Sequence, residues 1–168
     1  YDHRFGKNRE GSFEYLKENS IKFGFEVIEI PRHDIENIGI SSSIIRNSLL
    51  AGDIKQANNL LGIEYSLSGK VVKGKQLGRT LGYPTANIYV VEDYILIPAD
   101  GVYAVLINYD HRIYQGVLNI GKRPTIEGKD RTIEVHIFDF DKDIYGENIS
   151  ISFVEKIRNE QKFDSLDL

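Results

Sequence analysis

Between Gly74 and Asn87 the chain reads GKQLGRTLGYPTAN, a segment whose residue types suit polyphosphate and metal chemistry. Gly74, Gly78 and Gly82 remove the Cβ atoms that would hold a backbone away from a ligand. Pro84 stiffens the exit, and Thr85 and Asn87 follow at i and i+2, on one side of an extended segment. No Asp or Glu falls between Glu64 and Glu92, whereas Lys70, Lys73, Lys75 and Arg79 all do. The loop is rich in amides, locally positive and closed by two neutral oxygen donors, as a nucleotide polyphosphate with its metal requires. It is not a Walker P-loop, because no Gly-Lys-Ser/Thr leads into a helix here. Taken singly, the same glycines are turns, and Thr85 and Asn87 are residues that bond their own backbone.

Other clusters are less specific. In Thr132-Ile133-Glu134-Val135-His136-Ile137, alternation puts the aliphatic residues on one face and Glu134 with His136 on the other. That pattern serves a solvent-facing acid on a half-buried strand, or a carboxylate that takes a proton from a hydroxyl nucleophile in a cleft. The run Gly116 to Thr125 is a strand end and turn in which the Asn119 amide can meet a polar ligand. Arg158 to Ser165 reads as a charged connection into a capped helix, with Phe163 the one member suited to packing on a ligand. Ser41, Ser42 and Ser43 open a helix with Arg46 one turn in, which serves plain N-capping or phosphate binding. His3, His33 and His111 lack metal-ligand spacing.

Composition narrows the class. A chain of 168 residues holds one domain or two small ones. Its formal net charge of −4 argues against nucleic acid or an anionic membrane as a whole-surface partner. Absence of cysteine excludes disulfides and thiolate metal sites. No apolar run approaches a membrane span, so a soluble, cytoplasmic protein is the expectation. Methionine is absent and residue 1 is Tyr, inside what reads as a motif; the chain is expected to be part of a longer one.

The elements that must carry these residues change texture near Gly62. Before it the pattern is mixed α/β: Ser12 caps a helix over Phe13–Lys22 ending at Gly24, and Phe25–Ile30 alternates like a strand. A serine-capped helix then closes at Gly52, and Asp53 caps a shorter one closing at Gly62. From Ile63 the texture is all-β. Strands are expected at Ser66–Val72, Val102–Tyr109, Arg112–Asn119, Thr132–Phe140 and Ile149–Lys156. Turns are expected at Asp100-Gly101, Asp110-His111, Gly121 to Pro124 and Tyr145 to Asn148. Such spacing favours a small barrel or sandwich.

Motifs stand in order along nearly the whole sequence: DHRFGKNREG from Asp2, GISSSIIR from Gly39, and then a set of five. That set is GKVVKGKQLGRTLGYPTAN ending at Asn87, GVYAV from Gly101, GVLNIGKRPT from Gly116, RTIEVHIFDF from Arg131 and IRNEQKFDSL from Ile157. Together they resemble the bacterial bifunctional riboflavin kinase/FMN adenylyltransferase (FAD synthetase) family, the set of five matching its kinase half.

The resemblance implies an α/β remnant of a nucleotidyltransferase module over residues 1–62. A six-stranded Greek-key barrel over 63–168 would follow, ending in a truncated helix near Ser165. It implies Mg²⁺-dependent transfer of the ATP γ-phosphoryl to riboflavin, giving FMN. Carried over by motif, Thr85 and Asn87 would bind Mg²⁺ and phosphates, and Glu134 would be the catalytic base. Gly74, Lys75 and Arg79 would form the nucleotide flap; Asn119, Arg158, Phe163 and Ser165 would serve the flavin. Ser41, Ser42, Ser43 and Arg46 would be an adenylyltransferase remnant. The family's HxGH motif is absent from this sequence, so adenylyl transfer by this chain is not expected. The competing class is a non-catalytic β-barrel binding module. Oligomeric state is left open.

Overall fold

The computed structural model describes residues 4–29, 34–35, 38–74, 82–125 and 128–161. They fall into two compact units, Tyr1–Ile40 and Ser41–Leu168. Lys75, Arg79, Phe163 and Ser165, and with Ser165 the expected C-terminal helix, lie outside the described residues.

In the first unit, helix α1 spans Phe13–Phe23. Ser12 Oγ accepts a hydrogen bond from the Tyr15 amide at 3.2 Å, and Gly24 stops the helix with φ 67°. Asp34–Ile35 (β1) pairs with Ile38–Gly39 (β2). The strand expected from Phe25 is not formed through Glu29, where Ile28 is exposed. Alternation supplies two faces but no neighbouring backbone, and a strand exists only where a ladder partner accepts its N–H and C=O groups.

The second unit opens with α2 (Ser42–Ala51) and α3 (Ile54–Leu61). Their caps are those the sequence announces. Ser41 Oγ accepts from Ile44 N, Asp53 Oδ1 accepts from Gln56 N, and Gly52 and Gly62 adopt left-handed φ of 80° and 71°. Leu49, Ile54, Ala57 and Leu60 are buried. The Asn58 side chain locks α3 to the sheet: its amide donates to the Phe153 carbonyl and its oxygen accepts from Tyr65 N, both at 2.8 Å. This compact unit therefore begins ahead of the texture change at Ile63.

The sheet comprises β3 (Ser66–Val72), β4 (Ala86–Tyr89), β5 (Gly101–Tyr109), β6 (Arg112–Thr125), β7 (Gly128–Ile137) and β8 (Asn148–Arg158). These strands close an antiparallel barrel in the order β3-β4-β7-β6-β5-β8. Alternate residues fill it: Leu67, Val71, Val105, Ile107, Leu118 and Val135 are buried, with Tyr103 and Phe153 packed edge to face at 5.3 Å.

Several boundaries differ from the sequence reading; β7 begins at Gly128 rather than Thr132, and β8 runs Asn148–Arg158 rather than Ile149–Lys156. Ala86–Tyr89 is a strand, with Ile88 buried. Four residues are too few to display a period, and the preceding glycines and Pro84 make the whole run read as loop. The turn expected from Gly121 to Pro124 is instead a continuation of β6, paired with β7 out to Thr125 opposite Gly128. Gly and Pro mark places where pairing is weakened, and an uninterrupted partner strand overrides them. β7 ends at Ile137 rather than Phe140: the Phe138 amide makes a last bond to the Gln115 carbonyl at 2.9 Å, and the chain then turns at Asp139 (φ 52°).

Candidate functional site

Register brings residues from distant motifs into one line. Cα partners run Asn87 (β4), Glu134 (β7), Asn119 (β6), Val102 (β5) and Arg158 (β8). Residues directly opposite one another on antiparallel strands share a face. Ile88, Val135, Ile133, Leu118 and Ile120 flank this row and point into the core, so Asn87, Glu134 and Asn119 stand on the outer face, each half-buried.

Thr85 joins the row diagonally: its hydroxyl lies 3.4 Å from Glu134 Oε2 and donates to it. Gly74 closes the other side of Asn87. A Cβ there would stand 2.1 Å from Asn87 Nδ2, so any other residue would push this side chain aside. Gly74, Thr85, Asn87 and Glu134, assigned to one chemistry from the sequence, are thus neighbours in space.

Beside them lies a cavity of about 370 Å³, walled by Val71, Ala86, Val135 and Ile137 and rimmed by Phe140 to Tyr145. Thr85 lines it as well, so the cavity and the polar row meet at this residue. The rim is pinned to β3: Val71 N donates to the Glu147 carbonyl and Gly146 N to the Val71 carbonyl, each at 2.8 Å. Asp143 Oδ1 also accepts from Tyr145 N at 3.1 Å. Lys73 Nζ lies 5.7 Å from the Tyr145 ring centroid, at the same edge. Sequence reading treated Tyr145 to Asn148 as a turn only. The fold makes Asp141, Asp143 and Tyr145 cavity-lining residues.

Arg158 ends β8, exposed, with its guanidinium donating to the Asn159 carbonyl at 3.2 Å. The serine cluster sits elsewhere in this unit. Ser41 spends its hydroxyl on the helix cap, while Ser42 and Arg46 line a cleft of about 260 Å³ with Tyr65 and Tyr94 to Leu96. None of the row residues lines that cleft. His111 occupies the β5–β6 turn at φ 59°, a structural place.

What the arrangement can do follows from its donors. A hydroxyl, an amide and a carboxylate share the outer face of the row, and of the three Thr85 also lines the cavity; they suit a hard cation and a proton transfer, with space for a flat group in the cavity behind Thr85.

Comparison with known proteins points the same way. The family model described as riboflavin kinase matches residues 61–168. The Haemophilus influenzae bifunctional riboflavin kinase/FMN adenylyltransferase is 44% identical over 99% of this chain and 54% of its own length. Its Escherichia coli K12 counterpart is 40% identical over 99% and 53%. A solved Streptococcus pneumoniae chain described as a macrolide-efflux protein superposes with TM-score 0.88 at 40% identity, covering 98% of this chain and 53% of that one. The chain thus spans about half the length of the curated relatives it matches. A family model that covers most of the chain, a closed six-stranded barrel and a register row built from the family's motifs agree: this chain belongs to the riboflavin kinase family.

Proposed function

We propose that the barrel transfers the γ-phosphoryl group of ATP to the ribityl 5′-hydroxyl of riboflavin, giving FMN. The observation that carries this reading is the Thr85–Glu134 contact at the mouth of the cavity, with Asn87 opposite Glu134 in register. Phosphoryl transfer asks a protein for alignment and charge compensation, with little covalent work. The cavity takes the nucleotide base, and Thr85 and Asn87 lead the phosphates onto the row. Thr85 and Asn87 would hold Mg²⁺ through their side-chain oxygens, and the ion would supply charge neutralisation at the phosphates. Glu134 accepts the proton of the attacking hydroxyl. Asn119 and Arg158, along the row from Glu134, serve the flavin together with Phe163 and Ser165, and Lys75 and Arg79 serve the phosphates.

The same reading assigns residues 1–62 to the C-terminal part of an FMN adenylyltransferase module, with Ser41 to Ser43 and Arg46 as its trace. The names of the relatives support this, as does a kinase match that starts at residue 61. The longer protein would then carry both activities.

The test is incubation of the folded chain with riboflavin, ATP and Mg²⁺, followed by chromatography. FMN is the expected product, and a folded chain that makes none is a binding module instead. Glu134→Gln should lower turnover by about 10²–10⁴-fold, the range of general-base assistance, with ATP affinity retained. Near-normal turnover removes Glu134 from the base role.

A further inference from the structure

We infer that His136 is a positioning residue for Thr85 and Asn87, acting through the Pro84 carbonyl. The β4–β7 ladder contains two register pairs, Ala86 with Val135 and Asn87 with Glu134. Continuing that register by one step sets Thr85 opposite His136, but the ladder has stopped. Pro84 and Thr85 therefore enter the site without strand pairing, although Thr85 must be held closely if it is to place a phosphate. Proline cannot extend the ladder itself, since it has no N–H to give.

His136 fills that gap. Its Nδ1 lies 2.8 Å from the Pro84 carbonyl oxygen, and because a carbonyl only accepts, Nδ1–H is the donor. The ring is held edge-on by two aromatic neighbours, Tyr83 with centroids at 5.8 Å and Phe138 at 5.6 Å. Glu134 and His136 are successive outward residues of β7, and they hold successive residues of the incoming segment: Glu134 takes the Thr85 hydroxyl and His136 the Pro84 carbonyl. Two side chains thus do the work of the missing ladder. His136 touches the backbone ahead of Thr85 and no reacting group, so its effect is on placement.

This inference rests on the reading that Thr85 and Asn87 hold the nucleotide phosphates. Its test uses the full chain and three variants. His136→Phe keeps the ring contacts without a donor, His136→Ala removes both, and His136→Asn returns an amide N–H close to the Nδ1 position. His136→Phe and His136→Ala should each lose about tenfold in kcat/KM for Mg-ATP, the size of one neutral hydrogen bond, with the riboflavin KM unchanged. His136→Asn should recover most of that loss. Independently of activity, amide hydrogen exchange at Thr85 to Asn87 in the ligand-free protein should quicken in the Phe and Ala variants and return towards wild type in the Asn variant. Wild-type kinetics and wild-type exchange in His136→Phe overturn the inference, and so does failure of His136→Asn to restore either readout. A wild-type chain that makes no FMN refutes the kinase reading instead, while the exchange measurement still decides whether His136 holds the segment.

Discussion

Replacing Gly74 by Ala should disable the site while leaving the barrel intact. The added Cβ would meet Asn87 Nδ2 at 2.1 Å, Cγ at 2.6 Å and Oδ1 at 2.9 Å. Restoring ordinary contact of 3.4 Å requires the Asn87 amide to retreat by about 1.3 Å. The Asn87 backbone cannot share that movement, because it is paired to Val72 on one side and Glu134 on the other. Gly74 itself lies outside the left-handed region, so alanine adopts its backbone without strain. The displacement therefore falls on a flexible side chain, which is cheap for folding and expensive for placement. Misplacing a reacting group by about 1 Å lowers rate roughly 10²-fold, equivalent to about 2.7 kcal/mol of transition-state stabilisation. Steady-state FMN formation with varied Mg-ATP, beside a thermal melt, separates the two effects. A folded Gly74→Ala chain with kcat/KM within twofold of wild type refutes the reasoning. So does a loss of stability large enough to explain the defect by unfolding.

Two further perturbations probe the site and the barrel. Thr85→Ala removes the hydroxyl shared between cavity and row, and should raise the KM for Mg-ATP about tenfold with an unchanged melting temperature; an unfolded variant would make Thr85 structural. The alkaline limb of the stability curve should report Tyr103, which is fully buried and whose hydroxyl donates to the Ala99 carbonyl. Burial pushes this hydroxyl from 10.0 up to about 12, with Arg131 opposing and Asp100 reinforcing the shift. A folded-state value above the unfolded one leaves its contribution intact below pH 10 and loses it as pH rises towards 12, about 3 kcal/mol in all. Denaturant melts from pH 9 to 12 should fall more steeply for wild type than for Tyr103→Phe. Parallel slopes would contradict the assignment.

Much of this molecule is readable without coordinates because its signals are short-range. The caps at Ser12, Ser41 and Asp53 reach only three residues along the chain, and the stops at Gly24, Gly52 and Gly62 reflect a local backbone conformation. Alternation in β3, β5 and β8 states which side chains enter the core, since the period of a strand is a property of its own backbone. The residue types around Thr85, Asn87 and Glu134 likewise name a chemistry before any geometry is known.

Partnership was decided by the tertiary structure. Phe25 to Glu29 alternates and finds no ladder, whereas Ala86–Tyr89, too short to show a period, lies between β3 and β7 and becomes a strand. Gly121 to Pro124 carries turn residues and stays in β6, because β7 continues beside it. The line from Asn87 through Glu134 and Asn119 to Arg158, the cavity behind Thr85 and the grip of His136 on Pro84 all depend on which residue lies opposite which. A chain specifies its periods and its caps through neighbours a few bonds away. Register is set only when distant strands bury their apolar faces together, and no local pattern records that choice.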